Sequence, residues 1–304
     1  MTALHTYQIS SISFRTNVYL PELNEFQGES QGAIWVVEKF PDFFESQTEK
    51  AEFFDEQNDI FQLRSSHFGE ILIVEKREIY FIPNFDKGED YLRMVLLGSI
   101  SMIYVNCFNL LSLHAASIVI NDKAILFCGA SGRGKSSIAA YFYSKGYHVL
   151  ADDVTNCGFN ESGELLAYPS VPRIKLSEQV LIGLGISSAG LLSIPSSNVK
   201  YSLPIENRDN AKGYPIQLVI LPKFESNTED KIVKIVGVEK YKNLSQHIYR
   251  KKIAKKIPYN HHRHKIIFDL STNVSTCEFI RSDERSLKLS SMSYLENFLN
   301  KFVE

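Results

Sequence analysis

Residues 113–154 read LHAASIVINDKAILFCGASGRGKSSIAAYFYSKGYHVLADDV, and the fold follows from how this stretch is punctuated. Two apolar, strand-forming runs, ASIVI and AILFC, are separated by Asn121-Asp122, a pair that tolerates the left-handed backbone of a tight hairpin turn. The second run leads into Gly129-Ala130-Ser131-Gly132-Arg133-Gly134-Lys135-Ser136, which satisfies every fixed position of the GxxxxGK[ST] loop. A helix is expected from about Ser137 until Lys145-Gly146, where glycine supplies a natural C-terminal stop. The next strand, Tyr147 to Leu150, delivers Ala151-Asp152-Asp153 back toward the loop. Strand, glycine-rich loop, helix and strand in this order give an α/β nucleotide-binding pattern.

Such a loop turns its backbone N–H groups, and the positive end of the helix dipole, onto phosphate oxygens. Residues 129–137, from Gly129 to Ser137, are therefore the expected nucleotide site. Lys135 is expected to reach the β and γ phosphates and Ser136 to ligate Mg²⁺. Two adjacent carboxylates at a strand end so close behind the loop divide naturally into one that holds Mg²⁺ and one that deprotonates an attacking hydroxyl. The bland alternative is a solvated Asp-Asp turn. His114 precedes the hairpin; a lone histidine is more often structural than catalytic.

The histidine ahead of a hairpin, the loop GxSGxGKS and the glycine-aromatic-strand-Asp-Asp unit together resemble the kinase core of HPr kinase/phosphorylase and its relatives, including kinases found with lasso-peptide biosynthesis. The resemblance implies a P-loop kinase core of the HPr kinase C-terminal-domain type. It also implies that Asp152 is the general base, that His114 orients it and touches the phosphate, and that Asp153 and Ser136 hold Mg²⁺. ATP as the nucleotide is likewise implied by the resemblance. A weaker likeness runs through YPSVPRIKL, residues 168–176, and Lys200 and Arg208 fall where relatives carry cations; each of these two is read here as a solvated charge. The side chain of Arg133 is expected to face solvent. One departure is plain: EQVLIGLGI, residues 178–186, keeps a glycine pair but lacks the arginine of the family's Glu-x-Arg-Gly-x-Gly motif, which counts against reverse phosphorolysis and against HPr as acceptor.

Working outward, residues 1–90 carry short strand-like runs (SSISFRTNVYL, GAIWVVEKF, EILIVEK, EIYFIP) separated by polar, acidic stretches such as FESQTEKAEFFDEQND. We expect a β-rich N-terminal module over 1–90, a turn at NFDKGED (84–90), and a kinase domain over 91–304. Met94 to Leu113 approaches the length of a bilayer span, but it contains Ser99, Ser101, Asn106 and Asn109 and runs straight into a strand. A buried core helix without membrane insertion is the expectation.

The chain has 304 residues, 44% of them hydrophobic, and a formal net charge of -2, so it can bury a sizeable core and carries no global field for nucleic acid. Cys107, Cys128, Cys157 and Cys277 lack any CxxC or zinc-ligand spacing and read as reduced thiols. The N-terminus lacks the pattern of a signal peptide, which makes a cytoplasmic location the default. The densest local charge is Arg250, Lys251, Lys252, Lys255, Lys256, His261, His262, Arg263, His264 and Lys265, either a solvated face or a dock for an acidic peptide.

The expected activity is ATP-dependent transfer of the γ-phosphoryl group to a serine or threonine hydroxyl of a peptide or small protein, a lasso-peptide precursor being the leading class. Two alternatives stand beside it: a kinase of a free hydroxylated metabolite such as serine, and a nucleotide-responsive binding module without transfer. Self-association is compatible with the resemblance.

Overall fold

The computed structural model describes residues 3–44, 50–194, 199–206, 211–282 and 288–303. The described residues form a mixed α/β structure with three sheets. The first contains β1 (His5–Ile9), β2 (Ile12–Thr16), β3 (Ala33–Val36), β4 (Glu52–Asp55), β5 (Ile60–Ser65), β6 (Gly69–Val74) and β7 (Glu78–Pro83), in the order β1-β2-β3-β7-β6-β5-β4. Period-two alternation sends Phe61 and Leu63, Ile71 and Ile73, and Ile79 and Phe81 to one buried face. The acidic run expected as a separator contributes the edge strand β4, with Phe54 set edge-on against Phe61 and Tyr259. An edge strand needs only one partner, and its charged residues discourage a second.

A helical segment follows as α1 (Glu89–Val95), a π-helical turn (Leu96–Ile100) and α2 (Ser101–Cys107). It ends earlier than the expected Leu113: Asn109 adopts φ 62 and the chain leaves as a strand. Every residue of α2 is buried, and its apolar side chains share one cluster with the first sheet. Of the polar residues that argued against a membrane, Asn106 is engaged internally, whereas Asn109 Oδ1 has no hydrogen-bond partner among the described residues. Asn106 donates to the carbonyl of Met102 at 2.7 Å, Asn260 donates to Asn106 at 2.8 Å, and Ser112 donates to Asn156, whose amide donates to Ser10 in the first sheet's β1–β2 turn at 2.7 Å. This buried chain of hydrogen bonds ties the first sheet to the second, since unpaired partners at such sites would each cost about 1–3 kcal/mol. Among the described residues no helix is long and apolar enough to cross a membrane.

The remainder of the chain runs β8 (Leu111–Leu113), β9 (Ala115–Ile120), β10 (Lys123–Cys128), α3 (Lys135–Ser144), β11 (His148–Ala151), β12 (Thr155–Phe159), β13 (Leu165–Tyr168), β14 (Arg173–Leu176), α4 (Glu178–Gly183), β15 (Leu192–Ile194), β16 (Lys200–Pro204), β17 (Tyr214–Phe224), β18 (Lys231–Lys234), α5 (Val238–Gln246), α6 (Lys251–Ala254), α7 (Arg263–Asn273), β19 (Ser275–Arg281) and α8 (Leu289–Val303). The second sheet has the order β11-β9-β10-β17-β13-β12-β8, with β19 on β17 and β18 on β19. β9 and β10 form the antiparallel hairpin, turning through Asn121 and Asp122 at φ 49 and 57. β10 is parallel to β17 and β17 to β19; Phe127 pairs with Ile220, where β10 ends, while β17 and β19 run on together to the Phe224–Arg281 pair beside the loop.

Both faces of these central strands are covered. Ile125 and Phe127 meet the layer of α3 and α8, while Ala124, Leu126 and Cys128 meet that of α5 and α7. That double burial explains why AILFC is apolar without alternation. The four cysteines are buried and unbridged. The third sheet, β14-β16-β15, lays Ile174 and Leu176 onto the α3 side of the core.

Candidate functional site

The carboxyl ends of neighbouring parallel strands, followed by a helix N-terminus, are where open α/β sheets leave a crevice. Here the crevice is lined by His114, Ser131, Gly132, Gly134 to Ser137, Asp153, Lys175, Lys200, Phe224 and Arg281, together with the start of α4. Gly134 caps α3 at φ 79, and a Cβ there would lie 2.5 Å from Arg281 Nη2. Only glycine meets both conditions, the left-handed backbone and the close approach of a cation.

Lys135 is buried, and its Nζ donates to the carbonyls of Gly129 at 2.8 Å and Ala130 at 2.9 Å. Burial lowers its pKa, opposed by the charges of Asp153 and Asp152. Gly129 and Ala130 thus serve the site through backbone carbonyls. Arg133 does not line the cavity; its carbonyl accepts from Arg281 Nη2 at 3.5 Å. Arg281, 4% exposed, also lies against the Phe224 ring with its guanidinium carbon 4.7 Å from the centroid.

Asp153 takes φ 68, and this left-handed residue sends two successive carboxylates in different directions. Asp153 faces the cavity. Its Oδ2 accepts from Lys175 Nζ at 2.8 Å and its Oδ1 lies 3.5 Å from His114 Nε2. Burial works to raise its pKa, but the His114 hydrogen bond and Lys175 outweigh it and hold the carboxyl well below the usual range. Asp152 does not line the cavity. It is 7% exposed, its Oδ2 accepts the Lys175 backbone N–H at 2.9 Å, and its Oδ1 has no hydrogen-bond partner among the described residues. Burial, then the Asp153 charge, raises its pKa, while the Lys175 N–H and the Ser136 hydroxyl act to lower it.

The pairing is therefore crossed relative to the resemblance: Ser136 stands with Asp152, and His114 with Asp153. His114 is held by its backbone, which donates to the His247 carbonyl at 2.7 Å and accepts from Gly129 at 3.3 Å. Burial, then the charges of Lys135 and His114, pushes the imidazole of His247 down to about 4.

Lys200, read from sequence as a solvated charge, stands at the cavity with Lys175, because β16 pairs with β14. Arg208 lies outside the described residues. Sequence reasoning missed Phe224 and Arg281, and touched Lys175 only through the stretch YPSVPRIKL, without giving it a role. For the two cations the available signal was position: PRIKL and CEFIR place Lys175 and Arg281 at or near a strand's end, and β19 pairs with the loop strand's neighbour. None of the basic residues of 250–265 lines this cavity. Lys256 instead meets Glu52 at 2.8 Å, Lys265 lies over Phe159 and Arg250 over Tyr249.

No family model matches the chain, and no curated protein matches it. Among solved structures it is similar to the HPr(Ser) kinase/phosphatase from Coxiella burnetii, at 17% identity, over 62% of this chain and 91% of that one, with a TM-score of 0.34.

Proposed function

We propose that the protein is an ATP-dependent phosphotransferase acting on a serine or threonine hydroxyl of a peptide or small protein. One observation carries this reading: a loop with Lys135 and Ser136 at a helix N-terminus opens onto the same crevice as the Asp153, His114 and Lys175 cluster. The loop amides and the α3 dipole suit the β and γ phosphates, with Lys135 exchanging its two carbonyl partners for phosphate oxygens. Lys175, Lys200 and Arg281 bring further positive charge to where negative charge accumulates during transfer.

The residues present fit Mg²⁺. Ser136 and the unpartnered Oδ1 of buried Asp152 are the hard oxygen donors this cation takes. Bound there, Mg²⁺ would neutralise phosphate charge. The crossed pairing leads us to give Asp152 the cation and Asp153 the acceptor. The acceptor oxygen forms its bond to the γ-phosphorus as the bond from that phosphorus to the β–γ bridging oxygen breaks, ADP departs, and the hydroxyl proton passes to Asp153. A carboxylate held low by His114 and Lys175 is a weak base, but in a loose transition state the hydroxyl proton is lost late, so position outweighs basicity. His114 orients Asp153 through Nε2.

The test is transfer of labelled phosphate from ATP and Mg²⁺ to candidate precursor peptides, HPr and free serine offered side by side, with products read by mass spectrometry. Label on a peptide or protein hydroxyl is the expected result. Label on free serine alone moves the reading to a metabolite kinase, and nucleotide binding without transfer to any acceptor moves it to a binding module.

A further inference from the structure

The third sheet has a second face, away from the α3 core, and pairing fixes which residues share it. Arg173 and Lys175 lie two apart on β14, with Pro204 and Ser202 opposite them on β16 and Leu192 opposite Ser202 on β15. One end of this face, at Lys175 and Lys200, borders the crevice already described. The other end borders two adjoining cavities that share Glu22, Arg173, Leu192 and Ser202, the larger about 370 Å³. Leu192 is 61% exposed there although it belongs to a strand.

The polar groups of these cavities are incompletely matched. Glu22 Oε1 lies 3.3 Å from Arg93 Nε and 3.7 Å from Arg173 Nη1, and Arg93 also holds Asp90. Glu22 Oε2 and Arg173 Nε have no hydrogen-bond partner among the described residues, and Arg173 is only 8% exposed. Among the side chains lining the cavities Glu22 and Asp90 balance Arg93 and Arg173, with exposed Glu89 4.0 Å from Arg93 outside them, and Glu22 Oε2 and Arg173 Nε are left as one buried, unpartnered acceptor and one buried, unpartnered donor. A carboxylate satisfies only the donor and an ammonium only the acceptor. A carboxamide satisfies both, its N–H₂ donating to Glu22 and its C=O accepting from Arg173.

We propose that this face is the track on which an extended acceptor segment lies, and that the cavity at Glu22 and Arg173 takes an Asn or Gln side chain two residues from the phosphorylated hydroxyl. The offset follows from β14: Arg173 and Lys175 are two strand residues, about 6.6 Å, apart. The inference rests on the phosphotransferase reading and deepens it.

The probe is a set of synthetic peptides with one central serine in an alanine background, carrying Gln, Glu, Lys or Ala at each position from four before to four after it. Transfer from labelled ATP is compared for the unmodified protein and for Glu22→Gln, an isosteric change that retains an acceptor for Arg93 and makes the cavity net positive. The unmodified protein is expected to prefer Gln over Ala about tenfold at one position two residues from the serine, since hydrogen bonds to charged groups are worth about that much. Glu22→Gln is expected to shift that preference to Glu. A flat profile at both such positions, a preference for Glu in the unmodified protein, or a profile that Glu22→Gln leaves unchanged overturns the track while the transferase reading stands. Failure to label any peptide alongside label on free serine overturns both the peptide acceptor and the track.

Discussion

Two regions of this chain are rich in positive charge, and they were assembled in opposite ways. In residues 250–265 ten of sixteen side chains are Arg, Lys or His, gathered by sequence alone. In the crevice, Lys135, Lys175, Lys200 and Arg281 come from four separate elements and meet because β17 and β19 run on past the end of β10 to flank its loop and β14 runs behind the Asp pair. The first group disperses over Glu52, Tyr249, Phe159 and solvent. A dense charge run predicts a local field; only topology predicts a convergent one.

The largest expected effects lie within the crevice. Asp153→Asn should lower transfer about a thousandfold, within the range for loss of a positioned base, with ATP affinity little changed. Asp152→Asn should instead raise the Mg²⁺ concentration needed for half-maximal rate, because it removes the oxygen left open beside Ser136. Titrating Mg²⁺ against both variants separates them. If Asp152→Asn abolished transfer at every Mg²⁺ concentration while Asp153→Asn retained it, the base would be Asp152, as the resemblance implies.

The two groups of cations can be set against each other directly. Arg281→Gln removes one charge and should weaken ATP binding about tenfold, the scale of one lost charge-assisted hydrogen bond. Lys252, Lys255 and Lys256, all changed to Gln, remove three exposed charges and should alter ATP affinity less than twofold, since such charges are screened over about 8 Å at physiological salt. Equal losses in calorimetric titration would mean that the basic run reaches the nucleotide after all.

Gly134→Ala probes the convergence sterically. The new Cβ meets Arg281 Nη2 at a left-handed φ, so about 2 kcal/mol of stability should be lost together with part of the ATP affinity. Unfolding in urea and nucleotide titration read the two separately. An unchanged midpoint would show that Arg281 yields easily and does not press on the loop.

What was legible in the sequence is what depends on neighbours along the chain. The turn at Asn121-Asp122, the helix after Gly134 and its stop before Gly146 follow from side chains within a few residues. The end of the long apolar helix was misplaced because Leu110 to Leu113 is as apolar as a helix core, and only pairing with β12 makes Leu111–Leu113 a strand. The Asp pair could be found but not oriented, since the crossing depends on the φ of Asp153 and on Lys175, twenty-two residues away. Arg281 was invisible for the same reason: it meets Arg133 across 148 residues.

The smallest effect concerns His247, which stands where the two regions meet, just before the basic run and with its carbonyl on the His114 backbone. Its imidazole is held down to about 4 from an ordinary 6.5. Between those values the unfolded chain binds a proton that the folded chain refuses, so stability is full above pH 6.5 and declines as pH falls toward 4. Because the ring is partly solvated, the loss should be about 1 kcal/mol. Asp153, whose carboxyl is held low, loses its contribution only below about pH 4, so the windows do not overlap. Urea midpoints from pH 7.5 to 4.5 should therefore fall less steeply in His247→Gln than in the unmodified protein, with the curves converging toward the acid end. Parallel curves would mean that His247 protonates freely in the fold. The buried strut that holds His114 to this segment would then be wetter, and less rigid, than its backbone hydrogen bond implies.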